Sequence, residues 1–175
     1  LAEGKTKTLN FSGNTPVTAT PEQFTPETQD HGPRACVIPG MVAGWLEALA
    51  THGTKPTSEI FDRAIELAEN GFALHPFNVQ MIERGLPRLN EPEQTVFGSA
   101  PRRIGAVLHQ PDLAKSLRTI SEGGSEVFYR GELAKAMADA IQSQNGLITR
   151  DDLAGYQPEW QEPISSSYRG IKVAT

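Results

Sequence analysis

The sequence predicts an α+β fold whose helices are gathered into one central block. Three observations predict it. Residues 1–38 show no helical periodicity, residues 39–155 carry five or six short helix patterns in succession, and residues 156–175 return to β-type alternation. Helices run together between strand-forming ends describe α+β rather than repeated βαβ units.

In chain order, Thr6 to Phe11 alternates weakly and ends at Gly13-Asn14, which predicts a strand and a turn. Pro16, Pro21, Pro26 and Pro33 then punctuate a polar stretch expected to be loop or edge strand. The stretch from Val37 to Phe72 is expected to organise the chain. Between Pro39 and His52 it carries one charge, Glu47, and its apolar residues fall on every side of a helix: Val42, Leu46 and Leu49 on one, Trp45 and the alanines on others. A helix apolar all round is expected to be a buried post. Pro39 sets its start and Gly53 its stop.

From Thr57 to Asn70 the pattern is amphipathic, with Phe61, Ala64, Ile65 and Ala68 inward and Glu59, Asp62, Arg63, Glu66 and Glu69 outward. Thr57 is the expected N-cap, Gly71 the C-cap residue, and Glu59 with Arg63 an i,i+4 pair. A short helix from Pro76 carries Phe77, Met81 and Ile82 inward and ends at Gly85 and Pro87. Residues 85–110, broken by Pro87, Pro92, Gly98, Pro101 and Gly105, are expected to be irregular.

Pro111-Asp112 opens a helix with Leu113, Leu117 and Ile120 on one face, which Gly123-Gly124 stops before a further helical turn from Ser125 to Arg130. The next helix, Glu132 to Gln144, buries Leu133, Met137, Ala140 and Ile141 and is capped by Asn145-Gly146. Thr149 followed three residues later by Asp152 is close to a capping box for one short helix ending at Gly155. Trp160, Ile164, Tyr168, Ile171 and Val173 then mark strands, with Ser165-Ser166-Ser167 as the turn.

Composition bounds the function. The 175 residues suffice for one ordinary domain, which would bury roughly 70% of its unfolded surface. Sixteen basic and twenty-one acidic residues, a net charge of -5, argue against a nucleic-acid partner. No apolar run approaches the ~20 residues of a membrane span. The chain begins at Leu1 rather than Met, as a processed or excised piece would, so the lack of a signal peptide says nothing of a parent protein. Cys36 stands alone, in the apolar run Ala35-Cys36-Val37-Ile38, and is expected to be a small buried hydrophobe rather than a nucleophile.

The residues themselves present no catalytic constellation. His31, His52, His75 and His109 show no i,i+4 pair and no adjoining Cys or carboxylate cluster, so no metal is expected. His75 precedes a helix start. Asp151-Asp152 could be a carboxylate pair, but capping and the helix dipole account for both. Arg102-Arg103 reads as a solvated loop pair, Glu66 and Glu69 as a solvated helix face, and the three serines as a turn with no base to activate them. There is no G-x-G-x-x-G, no Walker loop and no G-x-S-x-G elbow.

Order and spelling of motifs add what residue chemistry does not. Pro39-Gly40-Met41-Val42-Ala43-Gly44 resembles the PG-x-VAG segment of γ-glutamyltranspeptidases, and Ala64 to Phe72 resembles their AI-x-LAE-x-GF. Gln110 to Leu117 is similar to Q-PDLA-x-(S/T)L, and Phe128 to Ala134 to FY-x-G-x-(I/L)A. Asn145 to Tyr156 resembles NGG-(L/I)-(L/I)-T-x-xDLA-x-Y, with a glycine of that segment replaced by Asn145 or shifted by one. Pro163 to Gly170 resembles P(I/L)S-x-x-YRG. Six segments in the family's order carry the resemblance.

The resemblance implies a helix-rich interior piece of the large subunit of an N-terminal-nucleophile (αββα) hydrolase. On that reading residues 1–175 are one partial domain: 1–38 strand and loop, 39–155 helical block, 156–175 strands. It implies a precursor that cuts itself into large and small subunits, with the small subunit's new N-terminal Thr as nucleophile and its amine as base. The expected partners are that small subunit and a small amide or peptide substrate, γ-glutamyl or glutathione-type if typical; no cofactor is implied. The nucleophile and oxyanion hole are expected downstream of Thr175, leaving no catalytic residue in this chain. The compartment stays open: periplasmic or extracellular as in typical members, or cytoplasmic. The alternatives are an acylase or amidohydrolase not specific for γ-glutamyl groups, and a non-enzymatic helical binding module.

One departure bears on substrate. The family's F-R-E-x-A-P segment carries an Arg that binds the α-carboxylate of the γ-glutamyl group. The matching stretch is Phe11-Ser12-Gly13-Asn14-Thr15-Pro16, with Ser12 at the Arg position. A serine cannot make the bidentate charge-assisted contact of an arginine. The alternative is a slipped frame in this loop, with Arg34 taking that role.

Overall fold

The computed structural model describes residues 6–89, 91–98 and 101–174; the ends of the expected 1–38 and 156–175 segments, and the side chain of Pro92, lie outside them. In chain order the elements are β1 (Thr8–Asn10), α1 (Pro26–Asp30), α2 (Met41–His52), α3 (Thr57–Asn70), β2 (Phe72–Ala73), α4 (Pro76–Gly85), α5 (Glu91–Gly98), β3 (Val107–Leu108), α6 (Pro111–Tyr129), α7 (Glu132–Ser143), α8 (Arg150–Ala154), β4 (Glu159–Gln161), β5 (Ser165–Tyr168) and β6 (Ile171–Ala174). The class is α+β and helix-rich. Two sets of residues each pack compactly: Leu1–Thr54 with Gly123–Thr175, and Lys55–Glu122. The division falls beside Gly124, whose φ of 64° interrupts α6 where the paired glycines predict a stop.

In the first unit, β1 pairs antiparallel with β4, Leu9 opposite Trp160. Its core gathers Ile38, Ala43, Tyr129, Ala134, Ala138, Ile148, Leu153 and Tyr156. Helix α7 turns Ala134 and Ala138 fully inward, with Leu133, Met137 and Ile141 half-buried beside them and Ala140 exposed. Small residues win the innermost positions because they let the helix approach closely. In the second unit, β2 pairs with β3, and Leu74, Ala106 and Leu108 form a small core with Val79, Ile82 and Phe97.

Several expectations are corrected. The polar stretch after Pro16 is not loop or strand. It holds the 3-10 turn Pro21–Gln23, helix α1 and the turn Pro33–Ala35. Thr25 caps α1 through reciprocal hydrogen bonds with Thr28, the Thr20 N–H donates to Gln23 Oε1 across the first turn, and proline at the first helical position costs nothing there. Helix α2 is not a buried post. Ala43 and Gly44 face the core, but Trp45 is 52% exposed and Met41 is exposed too. Cys36 is exposed, not buried.

Pro56, not Thr57, flanks the start of α3, although Gly71 ends it at φ 81° as expected. Glu59 pairs with Lys55, and Arg63 with Glu66 at 2.6 Å, in place of a Glu59–Arg63 pair. Helix α4 turns Val79 and Ile82 inward and leaves Phe77 and Met81 exposed. Residues 85–110 are not irregular throughout: they contain the 3-10 turn Leu86–Arg88, α5 and β3. The three serines lie in β5, and the turn falls at Arg169-Gly170, with φ of 50° and 79°. Glycine carries the left-handed turn residue that serine tolerates poorly.

Candidate functional site

Ser12 follows β1 and is exposed beside a shallow cavity of about 350 Å³ lined by Thr8, Leu9, Asn10, Phe11, Ser12 and Gln161. Its backbone is held on both sides. The Ser12 N–H donates to Asn10 Oδ1 at 3.1 Å, and its carbonyl accepts from the Tyr156 hydroxyl at 3.0 Å. Two residues on, the Ile38 N–H donates to the Asn14 carbonyl at 2.8 Å, tying this loop to the entry of α2.

The glycines of the Pro39–Gly44 segment explain how the loop comes so close. A Cβ at Gly40 would overlap the Phe11 carbonyl oxygen and the Tyr156 hydroxyl; one at Gly44 would overlap the Phe11 ring. Two stacked tyrosines complete the support. The rings of Tyr129 and Tyr156 lie 5.5 Å apart at 15°. The Tyr129 hydroxyl donates to the Pro39 carbonyl at 2.6 Å and accepts from the Ala43 N–H at 3.1 Å, satisfying a first-turn donor of α2. Burial pushes both phenols above their ordinary pKa; the Ala43 N–H opposes this at Tyr129, which Tyr156 nearby raises slightly. Both hydroxyls therefore keep the proton that they donate.

Asp152 anchors the same unit. Its carboxylate accepts from the Thr149 N–H at 2.8 Å, the Thr149 hydroxyl at 2.6 Å and the Val17 N–H at 2.9 Å. Burial pushes its pKa up, but the hydrogen bonds from Thr149 and Val17 outweigh that and leave it lowered. The capping role expected of Asp152 is present, and the tie to Val17 was not foreseen.

The other singled-out residues do not converge on the cavity at Ser12. His75 caps α4, its Nδ1 accepting from the Phe77 N–H at 3.2 Å. His109 Nδ1 lies 3.3 Å from the Glu69 carbonyl, and His52 meets Trp160 edge-on. His31, Arg102, Arg103 and Asp151 are exposed. Arg34 is engaged with backbone, donating to the Gln23 carbonyl at 2.6 Å and the Asn145 carbonyl at 3.2 Å. The second unit has a wider cleft of about 510 Å³ beside Asp62, Glu66, Glu69 and Arg118. Its Glu66 and Glu69 pair with Arg63 and Arg118. Among the described residues, no group of three or more His, Cys, Asp or Glu could hold a metal, and no helix is long and apolar enough to cross a membrane. Residue chemistry missed Tyr129 and Tyr156, although both stand in segments that carry the resemblance.

The family model described as gamma-glutamyltranspeptidase matches residues 1–175. The acylase ACY 1 proenzyme of Pseudomonas sp. (strain SE83) is 34% identical over 99% of this chain and 34% of its own length. The glutathione hydrolase proenzyme of Escherichia coli (strain K12) is 33% identical over 97% of this chain and 31% of its own length. The crystal structure of Helicobacter pylori gamma-glutamyltranspeptidase superposes with a TM-score of 0.95 and 33% identity, covering all of this chain and 54% of that one. The chain thus spans about a third of the length of these curated relatives, and its fold is that of part of an N-terminal-nucleophile hydrolase. With sequence and fold matched from end to end, the chain belongs to the gamma-glutamyltranspeptidase family.

Proposed function

We propose that this chain is the helix-rich part of the large subunit of an amide hydrolase or acyltransferase that acts through an N-terminal threonine. The observation that carries this reading is the end-to-end match in sequence and fold to a family whose members include proenzymes. On this reading the threonine sits on a small subunit released from the same precursor. It attacks the amide carbonyl, its own amine taking the proton, and the amine product leaves. Water or an acceptor amine then releases the acyl group. The 175 residues supply no nucleophile and are inactive alone; their part is to shape the acyl-group side of the site at Ser12.

A specific observation favours an acylase-like substrate over a strict γ-glutamyl one. Position 12 holds a serine, and Arg34 is occupied by two backbone carbonyls. Neither offers a guanidinium to an α-carboxylate, and the relatives include an acylase beside glutathione hydrolases, so they are compatible with either substrate. Expression of the complete parent protein tests the reading. Mass spectrometry is expected to find two chains, the smaller starting at Thr, and the processed protein to hydrolyse acyl anilides. An uncut protein with no amide turnover would leave the binding-module reading in its place.

A further inference from the structure

We infer that Tyr156 is a positioning residue for the acyl-group cavity: it fixes the Ser12 backbone so that the side chain at position 12 meets the cavity in one orientation. The inference rests on the acyl-group reading of Ser12 given above.

Both peptide groups of Ser12 are pinned, the N–H by Asn10 and the carbonyl by Tyr156. The Asn10 contact is local and exposed, and it can adjust. The Tyr156 contact reaches across 144 residues of sequence from a ring packed in the core. That ring is buried, stacked on Tyr129, and closed in at its hydroxyl by Gly40. The Tyr129 hydroxyl holds the Pro39 carbonyl in turn, so one tyrosine pair sets the cavity loop and the entry of α2 together. Tyr156→Phe removes the hydroxyl yet keeps the stacked ring. It should free the Ser12 carbonyl without emptying the core. An acyl group held less well weakens binding, while the distant nucleophile keeps its own geometry.

The test uses the processed full-length enzyme. Tyr156→Phe should raise KM for its acyl anilide about three- to tenfold, the loss of one directed hydrogen bond, with kcat within about twofold. Any gain in γ-glutamyl binding made by Ser12→Arg should shrink when Tyr156→Phe is added. Hydrogen exchange should quicken at the amides of residues 12–14 and not across α7. An unchanged KM in a folded, active variant overturns the inference. So does a parallel fall in activity and folded fraction. If the parent hydrolyses no amide, the activity reading fails by itself. Exchange at residues 12–14 then decides: faster in the variant supports the positioning role, unchanged refutes it.

Discussion

The Val17 N–H donates to the Asp152 carboxylate at 2.9 Å, joining residues 135 apart in sequence. The carboxylate that caps α8 therefore also pins the loop following Ser12. Asp152→Ala should cost about 1–3 kcal/mol, because it leaves cap and loop donors without their acceptor. Denaturant midpoints of the two proteins measure this.

The same carboxylate gives a pH dependence. Its folded-state pKa lies below the usual Asp value of 3.8. A depressed pKa contributes stability that is complete above the unfolded value and lost as pH falls through the folded one. The gap in thermal stability between the native chain and Asp152→Asn should be constant from about pH 6 to 8 and close below about pH 4. A gap that widens under acid would assign the wrong sign.

Gly44 is pressed against the Phe11 ring. Gly44→Ala should destabilise by about 1–3 kcal/mol through overpacking. The penalty should shrink in a Phe11→Ala background, since the clash partner is gone. Equal penalties in both backgrounds would show that the helix, not the contact, resents the substitution.

Trp45 tests how far hydropathy can be trusted. A fully buried tryptophan would cost about 3–5 kcal/mol on truncation. At 52% exposure, Trp45→Ala should cost about 1–2 kcal/mol. Urea unfolding of the variant separates the two values.

Local signals were legible in the sequence. Thr149 with Asp152, Gly71 and the Gly123-Gly124 pair act within one helical turn, and each does what its residue type requires. Thr20-Pro21-Glu22-Gln23 is equally local, but a proline there marks a loop and a helical start alike. Long-range facts were not legible. Hydropathy states that Met41 and Trp45 are costly to leave in water; it does not state what covers them. Nothing in residue chemistry pairs Tyr156 with Ser12 across 144 positions. The motif spellings held both tyrosines without showing their use.

On the proposed reading, position 12 decides which acyl group is accepted. The most direct measurement is kcat/KM of the full-length processed enzyme for a γ-glutamyl anilide and for the 4-aminobutyryl anilide, which lacks the α-carboxylate, in the native protein and in Ser12→Arg. The native enzyme should show no preference for the γ-glutamyl substrate. Ser12→Arg should shift the ratio towards it by about ten- to a hundredfold, the worth of one charge-assisted hydrogen bond. A native enzyme that strongly prefers γ-glutamyl, with a ratio indifferent to Ser12→Arg, would contradict this role for position 12.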